Sequence, residues 1–220
     1  VKNILDTIEL HKHKLALETT IFVSTDKACS PINTYGMAKA ISEQLIIEKA
    51  YYIKSIKFVN IRYGNVLNSR GSIIPLLHNI GMDDRKEYFN LTHKDMTRFV
   101  MTLNQCVDLI EYAILNGESG DTIIPELISM KVIDLLEIFS EKYNKPIKEI
   151  SIRPGEKMLE SLINPTQAGR IIKQNSYYHI KSIFEFKETI DPDNLIDYNS
   201  KVNPLSRKEL EDYLIGRNLI

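Results

Sequence analysis

Two short segments hold the residues best suited to chemistry. Ser24-Thr25-Asp26-Lys27 sets hydroxyls, a carboxylate and an ammonium in a row, and Tyr35-Gly36-Met37-Ala38-Lys39 places a phenol and a second ammonium four residues apart. On a helix, positions i and i+4 share a face, so Lys39 can stand beside Tyr35. A cation beside a phenol favours the phenolate. Moving a phenol pKa from about 10 to about 7 takes roughly 4 kcal/mol, which one cation in a dry site supplies. A tyrosine so placed is a usable general base. A Tyr-x-x-x-Lys pair alone also describes many solvated helix faces, and Asp26 and Lys27 alone also suit a turn cap and a solvated charge. Their placement after an apolar run is what gives them weight.

The elements that must position these groups follow from periodicity. Val1, Ile4, Leu5 and Ile8 give residues 1 to about 18 the pattern of an amphipathic helix, and the run from Thr20 to Ser24 has the length and β-branching of a buried parallel strand. A polar turn ending at Pro31 precedes a second helix over 33 to about 50, with Ala38, Ile41, Leu45, Ile46 and Ala50 at helical spacing. Ser55 to Arg62 reads as another buried strand. Helix, strand, helix, strand is an α/β pattern with parallel strands. Thr25, Asp26 and Lys27 then fall at the carboxyl end of a strand, where open α/β sheets bind their ligands. The polar stretch Tyr63 to Ser72 separates two apolar segments and reads as a binding loop. Further on, the pattern predicts a helix over 104 to 116 closed by Gly117, a strand at 121 to 124, a helix at 131 to 143, a strand near 147 to 152 and a terminal helix from about 206. Residues 165 to 205 are the least readable.

Composition narrows the function classes. With 28 basic and 29 acidic residues, the formal charge is −1, which gives no electrostatic footprint for nucleic acid or an anionic membrane. At 43% apolar and 26% charged, the 220 residues suffice for a hydrophobic core, and no apolar stretch has membrane-spanning length. Cys29 and Cys106 show neither metal-ligand nor disulfide-framework spacing, and no two of the five histidines share ligand spacing on one element. No metal site is expected, and a reducing, cytoplasmic compartment fits.

Several motifs together resemble one family. Thr25-Asp26-Lys27-Ala28, Pro31-Ile32-Asn33, Tyr35-x-x-x-Lys39, Arg62-Tyr63-Gly64-Asn65-Val66 and Ser69-Arg70-Gly71-Ser72 look like the extended short-chain dehydrogenases that modify nucleotide sugars. The resemblance is nearest the UDP-N-acetylglucosamine 4,6-dehydratase branch of polysaccharide biosynthesis. It continues through Asp95-Met96-Thr97-Arg98-Phe99 and Arg153-Pro154-Gly155-Glu156-Lys157, to about residue 165.

The resemblance implies a Rossmann-type parallel sheet with a smaller α/β substrate-binding domain. Residues 1–65, with about 100–125, would belong to the NAD-binding domain, and 66–220 mainly to the nucleotide-sugar domain. It also implies roles. Tyr35 would deprotonate the sugar C4 hydroxyl as hydride leaves C4 for NAD (or NADP), with Lys39 as its partner and ribose contact and Thr25 bonded to the C4 oxygen. Asp26 would be the acid expelling the C6 hydroxyl and Lys27 the base at C5. Lys27 in this place, where a retaining enzyme would carry Glu, favours inversion at C5. Tyr63, Gly64, Asn65 and Val66 would line the cofactor. Asn65, Ser69, Arg70, Gly71, Ser72, Arg98, Arg153 and Glu156 would meet the UDP-sugar. The resemblance further implies a homo-oligomer formed through helices 1 to 18 and 33 to 50.

One expected part is missing. The nine glycines contain no G-x-G-x-x-G turn, and only 34 residues precede Tyr35, whereas the family places that turn more than 100 residues upstream. Val1 therefore reads as a break inside a domain. A 4-epimerase of the same superfamily and an inactive fragment acting as a partner domain are the competing readings.

Overall fold

In the computed structural model, residues 1–186 and 197–220 are described. The first stretch runs α1 (Lys2–His11), β1 (Thr19–Thr25), a 3-10 turn (Asp26–Ala28), α2 (Thr34–Tyr52), β2 (Lys57–Tyr63) and β3 (Asn65–Val66). It continues with α3 (Ile73–Met82), β4 (Phe89–Leu91), β5 (Thr97–Met101), α4 (Leu103–Asn116), β6 (Thr122–Pro125), β7 (Ile128–Lys131) and α5 (Val132–Tyr143). The last part holds β8 (Ile147–Glu149), β9 (Ser161–Ile163), α6 (Pro165–Ala168), β10 (Ile171–Gln174), β11 (Tyr177–Ile180), β12 (Tyr198–Asn199) and α7 (Arg207–Ile215). The chain divides into two compact units. The first comprises Val1–Tyr63, Asn104–Glu126 and Ser161–Tyr198; the second comprises Gly64–Leu103, Leu127–Glu160 and Asn199–Ile220.

The first unit is built on a five-stranded sheet in the order β1-β2-β6-β11-β10. β1, β2 and β6 are parallel, with Thr25 opposite Tyr63 and Asn60 opposite Thr122, as the sequence pattern requires. Strand β2 is buried on both faces because both are covered. Phe58 packs with Leu5, Ile46 and Ala50 of α1 and α2, while Val59 and Ile61 pack with Leu109, Ala113 and Ile123. Strands β11 and β10 extend the sheet antiparallel. Their pairing brings β10 and β11 into this unit.

Two elements are shorter than their patterns suggest. Helix α1 stops at His11 and not near 18, because its buried face ends at Ile8 and His11-Lys12-His13-Lys14 offers no apolar side chain to extend it. Strand β8 stops at Glu149 because its parallel partner β4 ends at Leu91.

The second unit contains a small sheet, β3-β5-β7. Its core gathers Leu67, Ile74, Leu77, Phe89, Val100, Leu135, Phe139, Leu210 and Leu214, and thus joins α3, α5 and α7.

Candidate active site

At the carboxyl end of β1 the chain tightens into the 3-10 turn, and side chains of the Thr-Asp-Lys run bond to one another. Thr25 Oγ1 donates to Asp26 Oδ1 at 2.8 Å and accepts from the Lys27 amide at 3.4 Å. Lys27 Nζ donates to the same Asp26 Oδ1 at 3.0 Å. Asp26 is 0% exposed, and its Oδ2 has no hydrogen-bond partner. A buried carboxylate oxygen without a donor is costly, and such orphans concentrate where a ligand completes the bonding.

Helix α2 begins directly beyond this turn. Asn33 caps it by accepting from the Gly36 amide at 2.9 Å, which fixes Tyr35 in the first helical turn. Gly36 lets the helix rest on the Asp26–Ala28 turn: a Cβ there would lie 2.3 Å from the Lys27 carbonyl oxygen. Sequence reasoning passed over Gly36, whose signal is a glycine between the two segments that carry the chemistry.

Tyr35 is 55% exposed. Lys39 Nζ donates to the Val23 carbonyl at 2.9 Å and lies 4.8 Å over the Phe22 ring, so its ammonium is anchored on β1. Tyr35 and Lys39 line one pocket of about 190 Å³ with Phe22, Ala38 and Ser42. Tyr63, next to the site in the β1/β2 register, differs. Its hydroxyl donates to the Cys106 carbonyl at 2.9 Å, and burial pushes the phenol up to about 12. Burial likewise pushes the Cys106 thiol up to about 11, leaving it protonated and unreactive at neutral pH.

In the second unit, the expected cofactor and substrate residues fall into four groups. Asn65 and Val66 form β3 against Val100 and Met101, and the Asn65 Oδ1 is buried without a partner. Gly64 sits where a Cβ would lie 2.9 Å from Phe99 Cβ and Leu127 Cδ1. Ser69 Oγ donates to the Val66 carbonyl at 2.9 Å, closing the turn before α3, and Arg70 is exposed. Gly71 adopts φ +77° with open space around it, and Ser72 is the N-cap of α3. The Ser72 side chain makes no capping bond, and its Oγ is buried without a partner. An uncapped helix N-terminus with an orphaned hydroxyl has the donor chemistry for an anion. Arg98 is engaged instead with backbone, donating to the Thr97 carbonyl at 2.7 Å and the Lys157 carbonyl at 3.0 Å. Arg153 and Glu156 face each other at 3.9 Å.

Among the described residues no group of three or more His, Cys, Asp or Glu is placed to hold a metal, and no helix is long and apolar enough to cross a membrane.

The comparisons name nucleotide-sugar epimerases and dehydratases among the relatives. A profile of the family described as polysaccharide biosynthesis protein matches residues 1–182. An uncharacterized membrane protein of Methanocaldococcus jannaschii is 36% identical over 204 residues, 88% of this chain and 60% of that protein. The UDP-glucose 4-epimerase of Rickettsia rickettsii is 38% identical, covering 73% of this chain and 48% of its own length. The UDP-N-acetylglucosamine 4,6-dehydratase (inverting) of Campylobacter jejuni is 33% identical, covering 82% and 53%. The chain thus spans about half to three-fifths of the length of these relatives. Among solved structures, Pen from Bacillus thuringiensis superposes with a TM-score of 0.88 at 30% identity, covering all of this chain and 67% of that one. A dTDP-glucose 4,6-dehydratase from Bacillus anthracis in complex with NAD shares the fold at 13% identity, with a TM-score of 0.57 over 69% of this chain and 54% of that one.

Proposed function

The chain belongs to the polysaccharide biosynthesis protein family, and from that premise we propose that the polypeptide carrying it is an NAD-dependent nucleotide-sugar 4,6-dehydratase. The substrate is a UDP-N-acetylhexosamine, UDP-N-acetylglucosamine by the family resemblance, with the inversion at C5 that Lys27 favours. The observation that carries this is the Asp26–Lys27 pair. A carboxyl group and an amine share one hydrogen bond, one carboxylate oxygen is orphaned, and Tyr35 stands in the next helix. A C4 base alone suffices for epimerisation; elimination across C5 and C6 needs an acid and a second base.

Each residue then has one task. Tyr35 takes the C4 hydroxyl proton while Thr25 bonds the C4 oxygen. Lys27 takes the C5 proton, and Asp26 delivers a proton to the departing C6 hydroxyl. Transfer of the shared proton from Lys27 to Asp26 along their 3.0 Å hydrogen bond leaves both groups in the form the elimination requires. Held beside Tyr35 and Lys39, NAD would supply the reversible hydride storage that a C4 oxidation and a C6 reduction need. The donor set fits the nicotinamide ribose end of that cofactor, since a phenol and an ammonium line one pocket. The glycine turn for its pyrophosphate is not in this sequence. The backbone of residues 63–66 is proposed to line the cofactor. Asn65, Ser69, Arg70, Gly71, Ser72, Arg98, Arg153 and Glu156 are proposed to meet the UDP-sugar, the α3 amides beside Gly71 and Ser72 taking the diphosphate. In this reading the first unit carries the reacting groups and the second the nucleotide-sugar contacts. A homo-oligomer through α1 and α2 and a cytoplasmic setting complete the proposal.

The test is incubation of the longest natural polypeptide carrying this sequence with UDP-N-acetylglucosamine and NAD in deuterated water. A 4-keto-6-deoxy product that has lost one water and gained deuterium at C5 is expected. Recovery of the C4 epimer alone overturns the dehydratase reading in favour of an epimerase, which the 38% identity to the rickettsial enzyme supports. Asp26→Asn and Lys27→Ala separate the two: an epimerase keeps turning over, and a dehydratase stalls after C4 oxidation. No turnover of any sugar nucleotide leaves the inactive-fragment reading.

A further inference from the structure

Arg62, the penultimate residue of β2, is 1% exposed and bonded on every side. Its Nε donates to Glu43 Oε1 at 2.9 Å and its Nη2 to Glu43 Oε2 at 2.7 Å. Its Nη1 donates to the Leu162 carbonyl at 2.6 Å and to Gln167 Oε1 at 2.9 Å. Gln167 Oε1 also receives the Cys29 thiol at 3.8 Å. Glu43 lies on α2, four residues beyond Lys39, and is itself buried. Cys29 follows the Asp26–Ala28 turn, and Ser24, one residue before Thr25, is Arg62's partner in the β1/β2 register. One buried cation therefore ties together the helix that presents Tyr35 and Lys39, the 162–167 segment and, through Gln167, the turn that presents Asp26 and Lys27.

Burial works to lower the Arg62 pKa, but the Glu43 charge and hydrogen bonds outweigh it and the net direction is upward, so the guanidinium keeps its charge. The cation is felt further out, since burial and then the Arg62 charge lower the Arg170 pKa. A buried ion pair is an expensive way to fill space, and apolar residues of similar volume often stabilise as well or better. What the two-pronged contact supplies is direction: a guanidinium fork bonded to a carboxylate fixes helix against strand in one register.

We propose that Arg62 and Glu43 are positioning residues, holding Tyr35 and Lys39 in register with the Asp26–Lys27 turn. The proposal rests on the reading of those four as the reacting groups. Its test is the double variant Arg62→Met/Glu43→Leu, which removes both charges together and so avoids the stranded buried ion that either single change leaves. Hydrogen exchange followed by mass spectrometry should show residues 26–40 exchanging about tenfold faster while 58–61 and 122–124 keep their protection. In the turnover assay kcat should fall about 100-fold with KM within about twofold. Unchanged exchange over 26–40, uniform acceleration across the sheet, loss of the fold, or wild-type kcat in the folded variant each overturns the proposal. Exchange reads the positioning without any turnover, so failure of the dehydratase assay and failure of the positioning role are seen separately.

Discussion

Two buried aspartates stand at opposite edges of the same sheet. Asp121 precedes β6 at the amino edge, and Asp26 follows β1 at the carboxyl edge. Asp121 Oδ2 receives His179 Nδ1 at 3.1 Å, Lys181 Nζ at 3.0 Å and the Glu118 amide at 3.1 Å. His179 Nε2 in turn meets the Tyr112 hydroxyl at 3.0 Å, and Tyr112 stacks on Tyr177 at 3.7 Å. Asp26 has both of its side-chain bonds on Oδ1, and Oδ2 has none. Burial is the same; completeness differs. A completed acid fastens β11 to α4 and β6, whereas an incomplete one is left to bond something that is not protein.

The sharpest way to break that contrast is to neutralise each acid. Asp26→Asn should lower kcat about 1000-fold, the scale of a lost proton donor. Its urea midpoint should stay close to wild type, because Lys27 is partly exposed and water can take up its ammonium. Turnover near wild type would show that the orphaned oxygen is not the acid. Asp121→Asn should do the reverse. Removing the carboxylate that accepts from His179 and pairs with Lys181 should cost about 3 kcal/mol in urea denaturation while kcat per folded molecule holds. A loss of turnover without a loss of stability at Asp121 would collapse the distinction.

Gly36→Ala tests the ground between. The added methyl would meet the Lys27 carbonyl at 2.3 Å and Pro31 Cβ at 3.1 Å, so α2 must back away from the turn. Overpacking of this kind costs about 2 kcal/mol, and displacement of Tyr35 should lower kcat at the same time, about tenfold or more. Stability and turnover falling together, measured on one preparation, is the expected result. Either falling alone would separate the helix from the turn.

How much of this is legible in the sequence? The strand before Thr25, the helix over Tyr35 and Lys39 and the strand ending near Arg62 follow from local periodicity, although only β2 is covered on both faces: edge strand β1 is half-buried with Val23 exposed, and α2 buries Ile46 and Ala50 while Ile41 stays exposed. The chemical groups at the carboxyl edge are readable for the same reason: their place is fixed by the strand they follow. The buried Arg62–Glu43 pair is not, since a charged residue closing an apolar run looks like a strand end and Glu43 looks like a solvated helix position until Leu162 and Gln167 arrive from 100 and 105 residues away. The antiparallel β10–β11 pair turns on Asn175-Ser176, with Asn175 at φ +55°, a two-residue signature weaker than Asn-Gly, and its pairing with β6 and the His179–Asp121 bond come from distant residues. Arg98 has the side chain of a phosphate clamp; in the fold its donors meet the Thr97 and Lys157 carbonyls, a use that side-chain type alone does not signal.

Tyr63 supplies the smallest and most discriminating effect, because it lies at the carboxyl edge of the sheet beside Thr25 yet its hydroxyl is complete. It is opposite Thr25 in the register, but its phenol is bonded to the Cys106 carbonyl. If position decided function, Tyr63→Phe would damage turnover. If completeness decides, the variant should lose about 1 kcal/mol of stability, one neutral hydrogen bond, and keep kcat. The pH dependence adds a second reading. Burial raises the folded phenol from 10.0 to about 12, so the native state holds its proton more tightly than the unfolded chain. Stability from this group is complete below the unfolded value near 10 and is lost as pH rises through about 12. Between those values the wild type should lose urea resistance more steeply than Tyr63→Phe, which has no proton to release. Parallel slopes would show that the phenol is not held by burial. Reduced turnover in the variant would show that proximity to the reactive edge outweighs a satisfied bond.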